Sequence, residues 1–133
     1  MKPDSHKPPG WPAVIPRIVA SNPKELVEFI KYVFDAKGDF LKERPSILGI
    51  QDSKIMVSES GIRNVAPAFL YVYVPNADET YQRAIRAGAK SLEEPAQTPY
   101  GDRRAMIEDQ WGNTWQIASY KNTTEEKTHE STF

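Results

Sequence analysis

The chain has 133 residues, with 17 Lys and Arg against 18 Asp and Glu and no cysteine. That length fits one domain with its own core. The charge balance offers nucleic acid no basic surface, and the missing thiols exclude disulfides, cysteine nucleophiles and thiolate metal sites. No run is apolar enough to span a membrane and the first residues lack the apolar stretch of a secretory leader, so the chain reads as cytoplasmic.

Residues 1–12 read as an arm, because Pro3, Pro8, Pro9 and Pro12 lack backbone donors and turn their predecessors away from helix. A β-rich run from Ala13 to Ala20 leads into Asn22-Pro23-Lys24-Glu25. A second run, Pro67 to Val74, leads into Asn76-Ala77-Asp78-Glu79. Asn followed three residues later by Glu is a capping-box pattern, so Asn22 and Asn76 are expected to cap two helices, with Pro23 at a first helical position. Helical spacing continues through Leu26, Phe29, Ile30 and Val33, and again through Tyr81, Ala84 and Ile85. Gly38 and Gly88 stand where each helix is expected to stop.

Strands follow each helix. Ser46 to Ile50 and Ile55 to Ser58 flank the turn Gln51–Lys54, and Arg103 to Asp109 and Thr114 to Tyr120 flank Gln110–Asn113. Each half therefore reads β-α-β-β, with room for one more short strand after the helix. Modules of about 13–60 and 67–120 make one domain over 13–120, followed by a polar tail, 121–133.

The order of several motifs carries a resemblance. Residues 22–36 are similar to the first helix of the vicinal-oxygen-chelate superfamily (glyoxalases, bleomycin-resistance proteins and extradiol dioxygenases), with Phe29-Ile30 where the family has Phe-Tyr and Asp35-Ala36 in place of its glycine turn. Ala87-Gly88-Ala89 followed by Glu94-Pro95, then Tyr100-Gly101-Asp102-Arg103, resemble further family elements. Asp109-Gln110-Trp111-Gly112-Asn113-Thr114-Trp115 is similar to the family's Asp-Pro-x-Gly-x-x-Trp, with Gln110 replacing the proline. The resemblance implies an α+β fold in which two βαβββ modules form a curved, partly open mixed sheet around a cavity, with helices outside and a homodimeric state. The family's enzymes hold a divalent metal through His and Glu from four strands, whereas other members bind drugs without one.

On this resemblance the metal-ligand positions fall on Ile15, Phe69 and Gln116, and on the segment Pro45–Gln51, which contains no His, Asp or Glu. The register of that segment is open, and Leu48 stands for it. The histidines, His6 and His129, fall in the arm and the tail. The resemblance therefore implies a family member with no metal and no other cofactor. Strand alternation places Arg17 on the face of Ile15, and Tyr71 and Tyr73 on the face of Phe69. The candidate ligand-binding residues are thus Ile15, Arg17, Leu48, Phe69, Tyr71, Tyr73 and Gln116, and none is assigned a catalytic role.

Arg17 could anchor a carboxylate, phosphate or phenolate, or form a structural ion pair, or lie at an exposed edge. Arg103 and Asp109 flank turns and are expected to hold loops. The leading reading is a metal-free protein that binds a small aromatic or anionic molecule, with ligand or drug sequestration as one version of that role, and with no nucleic-acid or membrane partner. A lyase or isomerase of the same superfamily, and a structural or partner-binding domain with a filled cavity, are the alternatives.

Overall fold

The computed structural model describes residues 6–120. The polar tail at 121–133, His129 with it, and residues 1–5 lie outside the described residues. Among the described residues no helix is long and apolar enough to cross a membrane.

The first half supplies β1 (Arg17–Ala20), α1 (Pro23–Phe34), β2 (Ser46–Ile50) and β3 (Ser53–Glu59). The second supplies β4 (Phe69–Tyr73), α2 (Ala77–Arg86), β5 (Lys90–Gln97), β6 (Asp102–Glu108) and β7 (Thr114–Tyr120). The fold is α+β. The chain divides into two compact units at residue 66, except that Tyr32–Phe34, the last turn of α1, groups with the second.

In the first unit the sheet order is β1-β3-β2, with β1 parallel and β2 antiparallel to β3. Lys37 and Gly49 form an isolated antiparallel bridge beyond β2, the trace of the extra strand that the sequence left room for. β1 begins later than expected. Pro16 has no N–H to give a ladder, although its carbonyl accepts from Met56 N at 2.9 Å, so pairing starts at Arg17 and Ile15 lies ahead of the strand. The β2–β3 turn tightens to Gln51 and Asp52, with Gln51 at φ 54°. Of the arm, Trp11 bonds back to Pro8 O at 3.1 Å, and the Lys54 ammonium stands 5.4 Å from its ring centroid.

Leu26, Ile30 and Val33 of α1 are fully buried and Phe29 nearly so, as helical spacing predicts. Both ends of α1 differ from expectation. Asn22 takes a left-handed conformation (φ 54°, ψ 53°), and its side chain makes no capping bond. A capping side chain reaches the first turn from an extended backbone; asparagine's tolerance of the left-handed region is used here to turn the chain instead. The helix stops at left-handed Asp35, not at Gly38. Gly38 serves a different purpose: at φ 131°, a Cβ there would meet the Ile47 carbonyl oxygen and come within 3.1 Å of Leu48 Cδ2. Gly38→Ala is therefore expected to cost about 2–3 kcal/mol in urea unfolding, from backbone strain plus overpacking. A loss below about 0.5 kcal/mol would mean that the loop yields.

The second unit repeats the path with its last strand complete. The order is β4-β7-β6-β5, with β4 parallel to β7 and the other pairs antiparallel. In both units the first strand lies parallel beside the last. Here Asn76 is extended, and its side chain accepts from Glu79 N at 3.1 Å. At the other end Gly88 N bonds to Ile85 O and Ala89 N to Ala84 O, both at 3.0 Å, with Gly88 at φ 99°. This 6→1 and 5→2 pattern closes α2 as the sequence predicts. Trp115, Ile117, Ile107 and Ala84 are fully buried, and the Phe34 ring lies 4.7 Å from that of Trp115.

The β6–β7 turn is built around Asp109, which is 5% exposed. One carboxylate oxygen accepts from Trp111 N and Asn113 N, the other from Asn113 Nδ2 and Trp115 Nε1, all at 2.9 Å. Asn113 Oδ1 in turn accepts from Ala68 N at 2.8 Å, fixing the residue before β4. Arg103, by contrast, makes a two-pronged contact at 3.0 Å with Asp78 at the start of α2. That hydrogen bond holds the Asp78 carboxyl below its usual range.

Candidate ligand-binding site

The parallel register of β4 on β7 places Tyr71 opposite Gln116, and Phe69 opposite Thr114. Directly paired residues share a face, so Phe69, Tyr71, Tyr73 and Gln116 come together on one side of the second sheet. Their opposite numbers Trp115 and Ile117 are fully buried on the other side. Phe69 is 65% exposed, Tyr71 39% and Tyr73 48%, which is unusual for three consecutive same-face aromatics on one strand. The Tyr71 and Tyr73 ring centroids are 5.4 Å apart, with their planes tilted by 56°.

Ala118 separates Tyr73 from Arg104 in the register and presents only a methyl group. Across that low point the two phenols reach β6. Tyr71 and Tyr73 both donate to Asp102 Oδ2, at 2.5 and 2.9 Å. Asp102 is completely buried and is itself fixed by its backbone N–H, which donates to Thr98 Oγ1 at 3.0 Å. Partial burial first, and then the bonds to Asp102, push both phenols above their ordinary range; Tyr100 adds to the effect at Tyr71. Both therefore remain neutral at physiological pH. Arg104 donates from Nη1 to Tyr100 Oη at 2.8 Å and from Nη2 to Glu93 at 3.4 Å. Asp102 Oδ1 and Arg104 Nε are buried and have no hydrogen-bond partner among the described residues. Unmet groups of this kind are what a bound polar molecule or ordered water satisfies.

The remaining sequence candidates lie in the first unit. Ile15 is half-buried ahead of β1. Leu48 is fully buried on the core side of β2, with Ser46 and Ile50. Arg17 is not mid-strand but the exposed first residue of β1, and its Nε donates to Ser58 Oγ at 2.8 Å. Tyr100 and Asp102 stand in a motif that carries the family resemblance, but neither they nor Arg104 are among the candidate ligand-binding residues of the sequence. Their part depends on β4 lying beside β7 and β7 beside β6, which no local pattern encodes.

Among the described residues no three His, Cys, Asp or Glu side chains gather into a group that could hold a metal ion. No curated protein sequence matches the chain. Solved structures do match its fold. TioX from Micromonospora sp. ML1 is 20% identical with a TM-score of 0.68, covering 81% of this chain and 98% of its own. A glyoxalase/bleomycin resistance protein/dioxygenase family enzyme from Burkholderia phytofirmans PsJN is 20% identical with a TM-score of 0.66, covering 79% and 95%. The fosfomycin resistance protein FosX from Listeria monocytogenes is 13% identical with a TM-score of 0.66, covering 87% and 97%. The doubled path of first strand, helix and antiparallel strands agrees with a family-model match over residues 3–117, and the chain belongs to the Glyoxalase/Bleomycin resistance protein/Dioxygenase superfamily.

Proposed function

We propose that this chain is a metal-free, cytoplasmic, homodimeric binding protein that takes up a small aromatic molecule against Phe69, Tyr71 and Tyr73. The reading rests on one observation: three partly exposed aromatic side chains stand in a row, two of them held in position by a buried carboxylate. Aromatic surface with a few fixed polar groups is what small-ligand sites offer. Because both phenolic protons go to Asp102, the tyrosines present ring faces and oxygen lone pairs to a ligand. Sequestration needs no reacting group, since it protects by lowering the free ligand concentration. The fosfomycin resistance proteins of the same fold make protection a natural role.

The side chains do not fit a family-type metal. Ile15 and Phe69 offer no donor and Gln116 offers an amide. Asp102, the acid beside the face, already accepts two phenolic protons. A hard divalent cation requires several anionic or carbonyl oxygens, with imidazole commonly added for zinc.

The test is a thermal-shift and calorimetric screen of planar aromatic compounds. At least one is expected to bind saturably, with Tyr71→Ala weakening it about tenfold or more, equivalent to about 1.4 kcal/mol. Chelator treatment should leave the affinity unchanged. If no compound raises the melting temperature, or Tyr71→Ala binds as tightly as the parent, the reading fails. The 2.5 Å Tyr71–Asp102 bond favours a second reading, a lyase or isomerase using Tyr71 as a proton donor. The raised phenol pKa counts against it, because Tyr71 would release its proton poorly near neutral pH.

A further inference from the structure

We propose a second binding site, lined wholly by the first unit, for a small organic anion: a carboxylate or phosphate group on a short apolar body. A cavity of about 330 Å³ opens there, at the lower end of the range, about 300–1,000 Å³, usual for small-molecule pockets. Four cations line it: Arg17, Lys42, Arg44 and Arg63. Glu43 and Glu59 are its only carboxylates, leaving an excess of two positive charges. None of these six side chains takes part in a salt bridge among the described residues. Positive charge in a concave setting that the protein leaves unneutralised attracts anions.

The details give the ligand its shape. Arg17 is anchored through Nε to Ser58 Oγ, and Ser58 is 8% exposed, so the guanidinium is oriented while its terminal N–H groups have no partner among the described residues. That leaves a planar donor fork suited to a carboxylate or phosphate. Pro23, the first residue of α1, also lines the cavity, and the Asn22 side chain does not cap that helix end. The partial positive charge of the helix start therefore adds to the four cations. Leu41 and Ile62 lie at the same cavity, 37% and 101% exposed. A wholly exposed isoleucine beside clustered arginines supplies apolar contact for the body of an anion whose head meets the guanidinium groups.

The proposal is tested on the full chain by isothermal calorimetry with octanoate, octyl phosphate, octanol and inorganic phosphate, each below any micellar concentration. Octanoate or octyl phosphate is expected to bind one to one, at least tenfold more tightly than octanol or inorganic phosphate. The stronger of the two identifies the head group. Arg17→Ala, and independently the double variant Arg44→Ala/Arg63→Ala, should each weaken that binding tenfold or more. Ile62→Ser should weaken the organic anion while leaving inorganic phosphate unchanged. Arg44 and Arg63 make no side-chain hydrogen bond among the described residues, so the double variant tests the site without disturbing the fold. Absence of saturable binding by both octyl anions, or parental affinity in the double variant, would overturn the proposal.

Discussion

Asp109→Ala is expected to destabilise the protein by about 3–5 kcal/mol, because it strands four donors that converge on one buried carboxylate. An orphaned buried donor costs about 1–3 kcal/mol, and the loss is sublinear where the turn can relax toward water. The side-chain bonds to Asn113 and Trp115 tie the turn to the core, so the damage should not remain in the loop. Asp109→Asn separates the two halves of this network. Its amide oxygen can still accept from the backbone at 111 and 113, but its NH₂ then faces Asn113 Nδ2 and Trp115 Nε1, both donors. Urea denaturation should therefore place Asp109→Asn between the parent and Asp109→Ala. A loss below about 1 kcal/mol for Asp109→Ala would mean that solvent replaces the carboxylate, and that the turn does not organise the sheet.

Alkaline titration followed by tyrosinate absorbance should show Tyr71 and Tyr73 ionising above the ordinary tyrosine range. Both are raised by partial burial and by donation to Asp102. Asp102→Asn removes the carboxylate charge and should bring both back toward the ordinary value of about 10. Stability follows with a definite sign. The folded chain holds these two protons more tightly than the unfolded chain does. Their contribution is therefore fully present below about pH 10 and is lost as the pH climbs toward the folded-state values. The parent should lose stability above about pH 10 more steeply than the Tyr71→Phe/Tyr73→Phe variant. Equal alkaline limbs for the two proteins would show that neither burial nor Asp102 holds the phenolic protons.

The repeat was legible in the sequence because each module announces itself through an extended run followed by a helix start. Asn76 behaves as the pattern predicts, since its backbone is extended and its side chain reaches Glu79 N. Asn22 opens the same Asn-x-x-Glu spacing but on a left-handed backbone, which the spacing alone does not reveal. The shared face of Phe69, Tyr71 and Tyr73 follows from the two-residue period of a strand and needed no tertiary information. Asp102 is different. Its link to the tyrosines crosses β7, at Ala118, and requires knowing that β4 bypasses the strands next in sequence to pair with β7. For Leu48 the difficulty was register: β2 alternates buried and half-buried residues, and a shift of one residue exchanges its two faces.

The two rims of the second sheet are unlike, and this bears on assembly and solubility. β5 is exposed along nearly its whole length, carries Lys90, Glu93, Glu94 and Pro95, and breaks register twice against β6. Charges, a residue without an N–H and bulges are the devices by which natural sheets refuse a foreign strand. A second copy of the chain would thus find no template at β5 for extending the sheet, and runaway strand-to-strand growth is blocked on that side. Any association between copies of the chain is therefore directed to surfaces other than the β5 rim.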